Sequence, residues 1–179
     1  MPSNTEIKAR VTDFAQLKTV AEKLSESPGQ IIDQEDVFFR VPKGRLKLRI
    51  LSPNSGALIF YERENQPGPK QSDYTVVRTE DPSTLRLVLE SALGVLGVVR
   101  KTRILYWVGQ TRIHLDEVEE LGQFLELEVV MRPDQTIEEG TRIAVELMEK
   151  LGIREKDLIE GAYLDLLLNR TPTRIDCVE

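Results

Sequence analysis

The 179-residue chain has one cysteine, one histidine and one tryptophan, and aromatic residues make up only 6% of it. The lone Cys177 cannot form an internal disulfide, which fits a reducing compartment, and since thiol reactivity needs an activating setting the residue reads as an inert thiol. So few histidines and cysteines leave no cluster with zinc-ligand spacing. Tyr61, Tyr74, Tyr106 and Trp107 read as packing or rim residues in preference to a base-stacking platform. No apolar run approaches the ~20 residues of a membrane-spanning helix. The most apolar window, residues 85–99, is interrupted by Arg86, Glu90, Gly94 and Gly97, and is expected to be a buried helix running into a strand. The chain does not open with a basic stretch followed by an apolar core, so no secretory signal is read and a cytoplasmic location is expected. Internal repeats and low-complexity segments are also missing.

The length suits one domain over residues 1–179, large enough to bury a core without disulfides. A net charge of −6 argues against a nucleic-acid duplex as partner, because phosphate backbones select basic surfaces. It says less about small anions. Lysines and arginines gathered inside a cavity can bind an anion beneath an acidic exterior. A monomer or homodimer acting on a small molecule, away from membranes, is expected.

What the chain does have is alternation of charge. Glu6, Lys8 and Arg10 share one side of a strand-like stretch, with Ile7, Ala9 and Val11 on the other, since side chains alternate along a strand. The design recurs in Arg45, Lys47 and Arg49, in Lys101 and Arg103, in Arg112, His114 and Asp116, and in Glu126 and Glu128. One such strand is explained by a wet sheet face carrying cross-strand ion pairs. Five of them, some basic and some acidic, suggest a shared charged interior.

The remaining elements follow from periodicity and punctuation. Asp13 can cap a helix to about Leu24, stopped by Ser27-Pro28-Gly29. Extended segments are expected near 31–39, 45–51, 58–63 and 74–79, with turns at Pro42-Lys43-Gly44 and Pro53-Asn54-Ser55-Gly56 and a loop at 66–70. Asp81-Pro82 opens a helix to about Leu96. Strands near 98–108, 111–118 and 124–131 form hairpins through Gly109-Gln110 and through residues 119–122. Asp134 or Thr136 can cap a helix over 137–151, and residues 161–168 read as a last short helix. About eight strands suit a closed antiparallel barrel, which has no exposed edges, although the period alone equally allows an open sheet with helices on one face.

Asn4-Thr5-Glu6-Ile7-Lys8 resembles the ExExK signature of the CYTH superfamily, the triphosphate tunnel metalloenzymes, which include class IV adenylyl cyclases and thiamine triphosphatases. Further blocks resemble the family in its order: Gly44-Arg45-Leu46-Lys47-Leu48-Arg49, Ser72-Asp73-Tyr74, Val99-Arg100-Lys101-Thr102-Arg103, His114-Leu115-Asp116, and residues 121–128. Together they span roughly residues 4 to 168. The resemblance implies an α+β fold: a closed eight-stranded antiparallel β-barrel forming a tunnel, with a charged interior and helices packed outside.

It also implies a chemistry. A triphosphate carries about four negative charges and needs several cationic donors along its length. Arg45, Arg49 and Arg103 offer forked donation to phosphate oxygens, and Lys8, Lys47 and Lys101 act as point charges. Arg10, Arg78 and Arg112 form a second tier, implicated by similar family positions. Glu6, Asp116, Glu126 and Glu128 are hard oxygen ligands suited to Mg²⁺ or Mn²⁺, and Glu6, Lys8, Glu126 and Glu128 are the expected catalytic set. The chain departs from the signature at Asn4, where the family has its first glutamate, which brings a two-metal arrangement into question. The expected activity is metal-dependent hydrolysis of a triphosphate: inorganic tripolyphosphate, or a nucleoside or thiamine triphosphate. The alternatives are a class IV cyclase making cyclic AMP and pyrophosphate from ATP, and a noncatalytic triphosphate or polyphosphate binder.

Overall fold

The first strand, β1 (Ser3–Arg10), puts Asn4, Glu6 and Lys8 toward one side and Ile7 and Ala9 toward the other, and the whole fold follows from giving each side its own surroundings. In a computed structural model, which describes residues 3–25, 27–63 and 68–170, the strands are β2 (Gln30–Phe39), β3 (Arg45–Ser52), β4 (Ser55–Arg63), β5 (Lys70–Thr79), β6 (Val95–Val108), β7 (Thr111–Val118) and β8 (Gly122–Val130). They close into a barrel in the order β1-β5-β4-β3-β2-β6-β7-β8, with every pairing antiparallel. Closure leaves no strand edge open.

The apolar faces point outward, so helices must cover them. Helix α1 (Phe14–Ser25) starts where the Asp13 carboxylate accepts from the Gln16 amide at 2.9 Å, and buries Leu17 and Ala21 against Ile7, Tyr106 and Ile113. Helix α3 (Ile137–Lys150) is capped by Thr136, not Asp134. Its hydroxyl accepts from the Glu139 amide while the Glu139 carboxylate accepts from the Thr136 amide. Ala144, Leu147 and Met148 seal the same core, where each large apolar side chain contributes about 1.5–3 kcal/mol by leaving water.

Helix α2 (Pro82–Leu93) is capped by Asp81, with proline in its first turn, and lays Leu85, Leu89 and Leu93 over Val37, Phe39 and Leu48. It ends three residues before the boundary expected from the sequence. Gly94 takes φ 74° and returns its amide to the Glu90 carbonyl, so β6 starts at Val95. The apolar run through 93–99 hid that junction. Nor is the helix buried throughout, as Leu87 and Val88 are more than half exposed. The 66–70 loop lies partly outside the described residues, as does Cys177, while Lys70 already belongs to β5.

Helix α4 (Tyr163–Arg170), two residues later than expected, closes one end of the barrel. Tyr163 and Leu164 pack among Phe38, Tyr61, Val99 and Phe124, and the Phe124 and Tyr163 ring centroids are 5.0 Å apart. Gly97 makes room for the helix, since a Cβ there would sit 2.5 Å from Leu164 Cδ1. Arg45 pins it from outside, 2.7 Å from Asp165. Among the described residues, no helix is long and apolar enough to cross a membrane.

Candidate functional site

Inside the barrel lies a cavity of about 290 Å³ with two unlike walls. Ile59 and Tyr61 of β4 and Tyr74 and Val76 of β5 make the apolar one. Around the rest, Lys8, Lys47, Arg49, Lys101, Arg103 and Arg112 face Glu6, Asp36, Glu126 and Glu128.

The β1–β8 register sets Glu6 opposite Glu128 and Lys8 opposite Glu126. Lys8 Nζ lies 3.5 Å from Glu126 Oε1 and 3.8 Å from the centroid of the Tyr163 ring. Arg103 donates from Nε and Nη2 to the two Asp116 oxygens, each at 2.7 Å, and from Nη2 to Glu126 Oε2 at 2.9 Å. The Tyr163 hydroxyl adds a third donor to Asp116 at 2.8 Å. Burial alone would raise the Asp116 and Glu126 carboxyls, but neighbouring Arg103, Lys101 and Lys8 outweigh it and hold both below the usual carboxylate range.

A second knot surrounds Asp36. Its oxygens accept from Arg49 Nε and Nη2 at 2.7 and 2.8 Å and from Lys47 Nζ at 2.8 Å. Here too burial opposes ionisation, and Arg49 and Lys47 override it. Lys101 bridges the two knots, 3.8 Å from Asp36 and 3.8 Å from Asp116. Burial, reinforced by the charge of Arg103, brings the Lys101 ammonium down to about 7, and burial with the charge of Arg49 brings Lys47 to about 8. Both lysines sit where an added anion would recharge them.

His114 is pushed down to about 3, first by burial and then by Arg103, so its imidazole is neutral at ordinary pH. Its Nδ1 is buried without a hydrogen-bond partner, 3.7 Å from Glu128 Oε1. Arg112 holds Glu128 through Nη2 at 2.8 Å. The Asn4 amide suits its neighbours when its oxygen accepts from Arg112 Nη2 at 3.1 Å and its nitrogen donates to the Ser3 carbonyl at 3.1 Å.

Of the residues singled out in the sequence, the cavity brings together Glu6, Lys8, Lys47, Arg49, Lys101, Arg103, Arg112, Glu126 and Glu128. Asp116 lies fully buried beneath them, its oxygens taken by Arg103 and Tyr163. Arg45 is engaged by Asp165 outside the cavity. Arg10 is exposed, 5.1 Å from the Phe124 ring, and Arg78 is exposed at the rim, in register with Ala57, which pairs with Arg49. Asp36 and Tyr163 were not foreseen as site residues. Asp36 shares the strand parity of Gln34 and Phe38, but consecutive Phe38 and Phe39 made both faces of that strand look apolar. Tyr163 reaches the lumen only because α4 folds into the barrel end.

A group of side chains suited to a cation is present. One ligand atom from each of His114, Glu126 and Glu128 lies within 4.8 Å of the other two.

A closed antiparallel barrel with a charged lumen and helices outside defines the class of protein. The CYTH domain profile matches residues 3–163, and the chain belongs to the CYTH family. It is 27% identical, over 90% of its length and 96% of the relative's, to a Methanocaldococcus jannaschii protein provisionally named an adenylate cyclase. Among solved structures it resembles a Pyrococcus horikoshii OT3 protein with 27% identity and a TM-score of 0.80, covering 91% of this chain and 98% of that one. A Vibrio parahaemolyticus protein, also provisionally named an adenylate cyclase, superposes with a TM-score of 0.78 at 19% identity over 92% of this chain and 97% of that one, a likeness of fold.

Proposed function

We propose that the lumen binds a triphosphate-bearing small molecule together with Mg²⁺ or Mn²⁺ and hydrolyses it. The carrying observation is the lumen's charge balance. Six basic side chains line it against four carboxylates, with Asp116 directly below, so the empty site carries at most one net positive charge when all six are protonated. It carries less where Lys101, lowered to about 7, and Lys47, lowered to about 8, have given up part of their protons. A triphosphate of about four negative charges needs more compensation than this. Recharging of Lys101 and Lys47 supplies part of it, and a divalent ion the rest.

The side chains divide the work. Arg49 and Arg103 have forked donors for nonbridging oxygens, and each must exchange a carboxylate partner for phosphate to use them. Lys8, Lys47 and Lys101 act as point charges along the chain of phosphates. Glu126 and Glu128, with Glu6 opposite, are the groups that would hold the cation, and the unpartnered His114 Nδ1 beside them fits such a guest. When bound, the cation polarises a phosphoryl oxygen and neutralises developing charge. In hydrolysis, water oxygen bonds to the terminal phosphorus and the bridging P–O bond breaks. The electron pair leaves on the diphosphate, and the water proton passes to solvent. The arginines stabilise charge on the transferred and leaving groups.

The apolar wall favours a second reading. Ile59, Tyr61, Tyr74 and Val76 offer a surface for a nucleoside, which cyclisation of ATP requires and tripolyphosphate hydrolysis does not. The name of the Methanocaldococcus jannaschii relative points the same way. Incubation with tripolyphosphate, ATP and thiamine triphosphate, each with Mg²⁺ or Mn²⁺, decides by product. Phosphate release supports hydrolysis, cyclic AMP replaces it with cyclisation, and binding without turnover reduces the lumen to a receptor. Failure to bind any triphosphate removes the proposal altogether.

A further inference from the structure

We infer that His114, Glu126 and Glu128 form a mixed nitrogen-and-oxygen site that prefers a first-row divalent ion such as Mn²⁺ or Co²⁺ to Mg²⁺, with the His114 imidazole as a direct ligand. The inference rests on the reading that the lumen holds a cation, and it names the atom that sets the ion's identity. Two independent observations carry it. The three ligand atoms cluster within 4.8 Å of one another, a spread that a cation at ordinary coordination distances closes with small side-chain shifts. Separately, His114 is only 4% exposed, lines the cavity, and leaves Nδ1 without a hydrogen-bond partner. The neighbouring Glu126 and Glu128 are paired with Arg103 and Arg112, whereas this nitrogen has no hydrogen bond, and a buried polar atom left unmade costs about 1–3 kcal/mol. A cation, ligated by the imidazole nitrogen and the two carboxylates grouped with it, is the guest that satisfies this site.

The chemistry of that nitrogen sets the preference. A nitrogen ligand raises affinity for first-row divalent ions in the order Mn²⁺ < Fe²⁺ < Co²⁺, whereas Mg²⁺ favours an all-oxygen octahedron and keeps its waters. The bias against Mg²⁺ is therefore smallest for Mn²⁺ and larger for Co²⁺. A site built from Glu6, Glu126 and Glu128 alone would have no such bias. His114 therefore selects among cations, and Asn4, being uncharged, adds no competing carboxylate at the neighbouring inward position.

The test loads the full chain with Mn²⁺ alone, without any triphosphate, and records electron spin-echo modulation together with calorimetric titrations of Mn²⁺ and Mg²⁺. The wild type is expected to show ¹⁴N modulation from the bound Mn²⁺. His114→Gln should abolish it and weaken Mn²⁺ by at least about tenfold, the loss that even an outer-sphere partner produces, while leaving Mg²⁺ affinity unchanged. Mn²⁺ bound to the wild type without nitrogen modulation overturns the inference whatever the variant does. So does a wild type that binds no Mn²⁺, or a variant in which both ions weaken alike. Because no triphosphate is present, these outcomes are independent of whether hydrolysis is found.

Discussion

Replacing Asp36 with asparagine tests the idea that the lumen's cations are held in trust by internal counter-charges. In the wild type one carboxylate accepts three charge-assisted hydrogen bonds, two from Arg49 and one from Lys47, and has Lys101 at 3.8 Å. The amide keeps one acceptor, turns a donor toward the cations, and removes the negative charge. Removing one partner of a buried pair costs about 3–5 kcal/mol. The lower end applies here, because Lys47 and Lys101 already lie near 8 and 7 and can lose protons to relieve the repulsion. At about 2–4 °C per kcal/mol for a chain of this size, Asp36→Asn should melt roughly 6–12 °C below the wild type. Tripolyphosphate should then raise the melting temperature more in the variant, since the ligand supplies the missing charge without having to displace a carboxylate. Scanning calorimetry with and without tripolyphosphate reads both effects. A variant melting within about 2 °C of the wild type, or gaining no more from the ligand, refutes the reasoning.

Lys101, depressed to about 7 in the folded chain, makes stability without ligand rise as pH climbs from about 7 toward the ordinary lysine value near 10.5, because over that window the unfolded chain holds a proton the folded one has lost. At pH 8, tripolyphosphate binding should therefore draw protons onto Lys101 and Lys47, visible as buffer-dependent calorimetric heats. Lys101→Arg, permanently charged, should take up fewer, and equal uptake by both proteins would discard this linkage. Tyr163→Phe deletes one of three donors to Asp116 and should cost about 1 kcal/mol in denaturant melts, with the Arg103 fork retained; a loss several times larger would mean that the hydroxyl holds α4 in the barrel end. Asn4→Glu sets a further carboxylate beside Arg112 and Glu128, so it should melt lower without metal, bind Mn²⁺ more tightly and turn over faster; unchanged metal stoichiometry with lower activity would show that the asparagine belongs to the working site.

The shared charged face was legible because alternation has a fixed period, whereas closure into a barrel came from the family resemblance, since the period alone equally allows an open sheet. Once Glu6 and Lys8 are assigned inward, Ile7 and Ala9 must go outward, and the same parity sends Lys47 and Arg49, Lys101 and Arg103, and Glu126 and Glu128 to one lumen. Parity does not say how far along the barrel a residue sits. Arg10 and Arg45 belong to strands that carry lumen charges, and Arg78 to a strand that lines the cavity with Tyr74 and Val76, yet the ends where they lie give them to solvent or to Asp165. Nor does parity record contacts made from outside the sheet. Tyr163 arrives on α4, whose entry depends on the missing side chain at Gly97, some 66 positions earlier in the chain, and no local pattern links the two.

Pairing inside the lumen was the least legible feature and has the largest consequence for function. The sequence shows basic strands and acidic strands, which invites a picture of bare cations awaiting phosphate and bare carboxylates awaiting metal. The structure shows Arg103 on Asp116 and Glu126, Arg49 and Lys47 on Asp36, Arg112 on Glu128, and Lys8 near Glu126. A buried charge of one sign would cost far more than the chain can spare, so the site folds as its own salt. Ligand binding then becomes partner exchange, in which each phosphate oxygen gained by an arginine sets a carboxylate free. Glu126 and Glu128, released from Arg103 and Arg112, are the carboxylates grouped with His114. Triphosphate and cation should therefore bind cooperatively, because each takes up the charges that the other leaves unpaired.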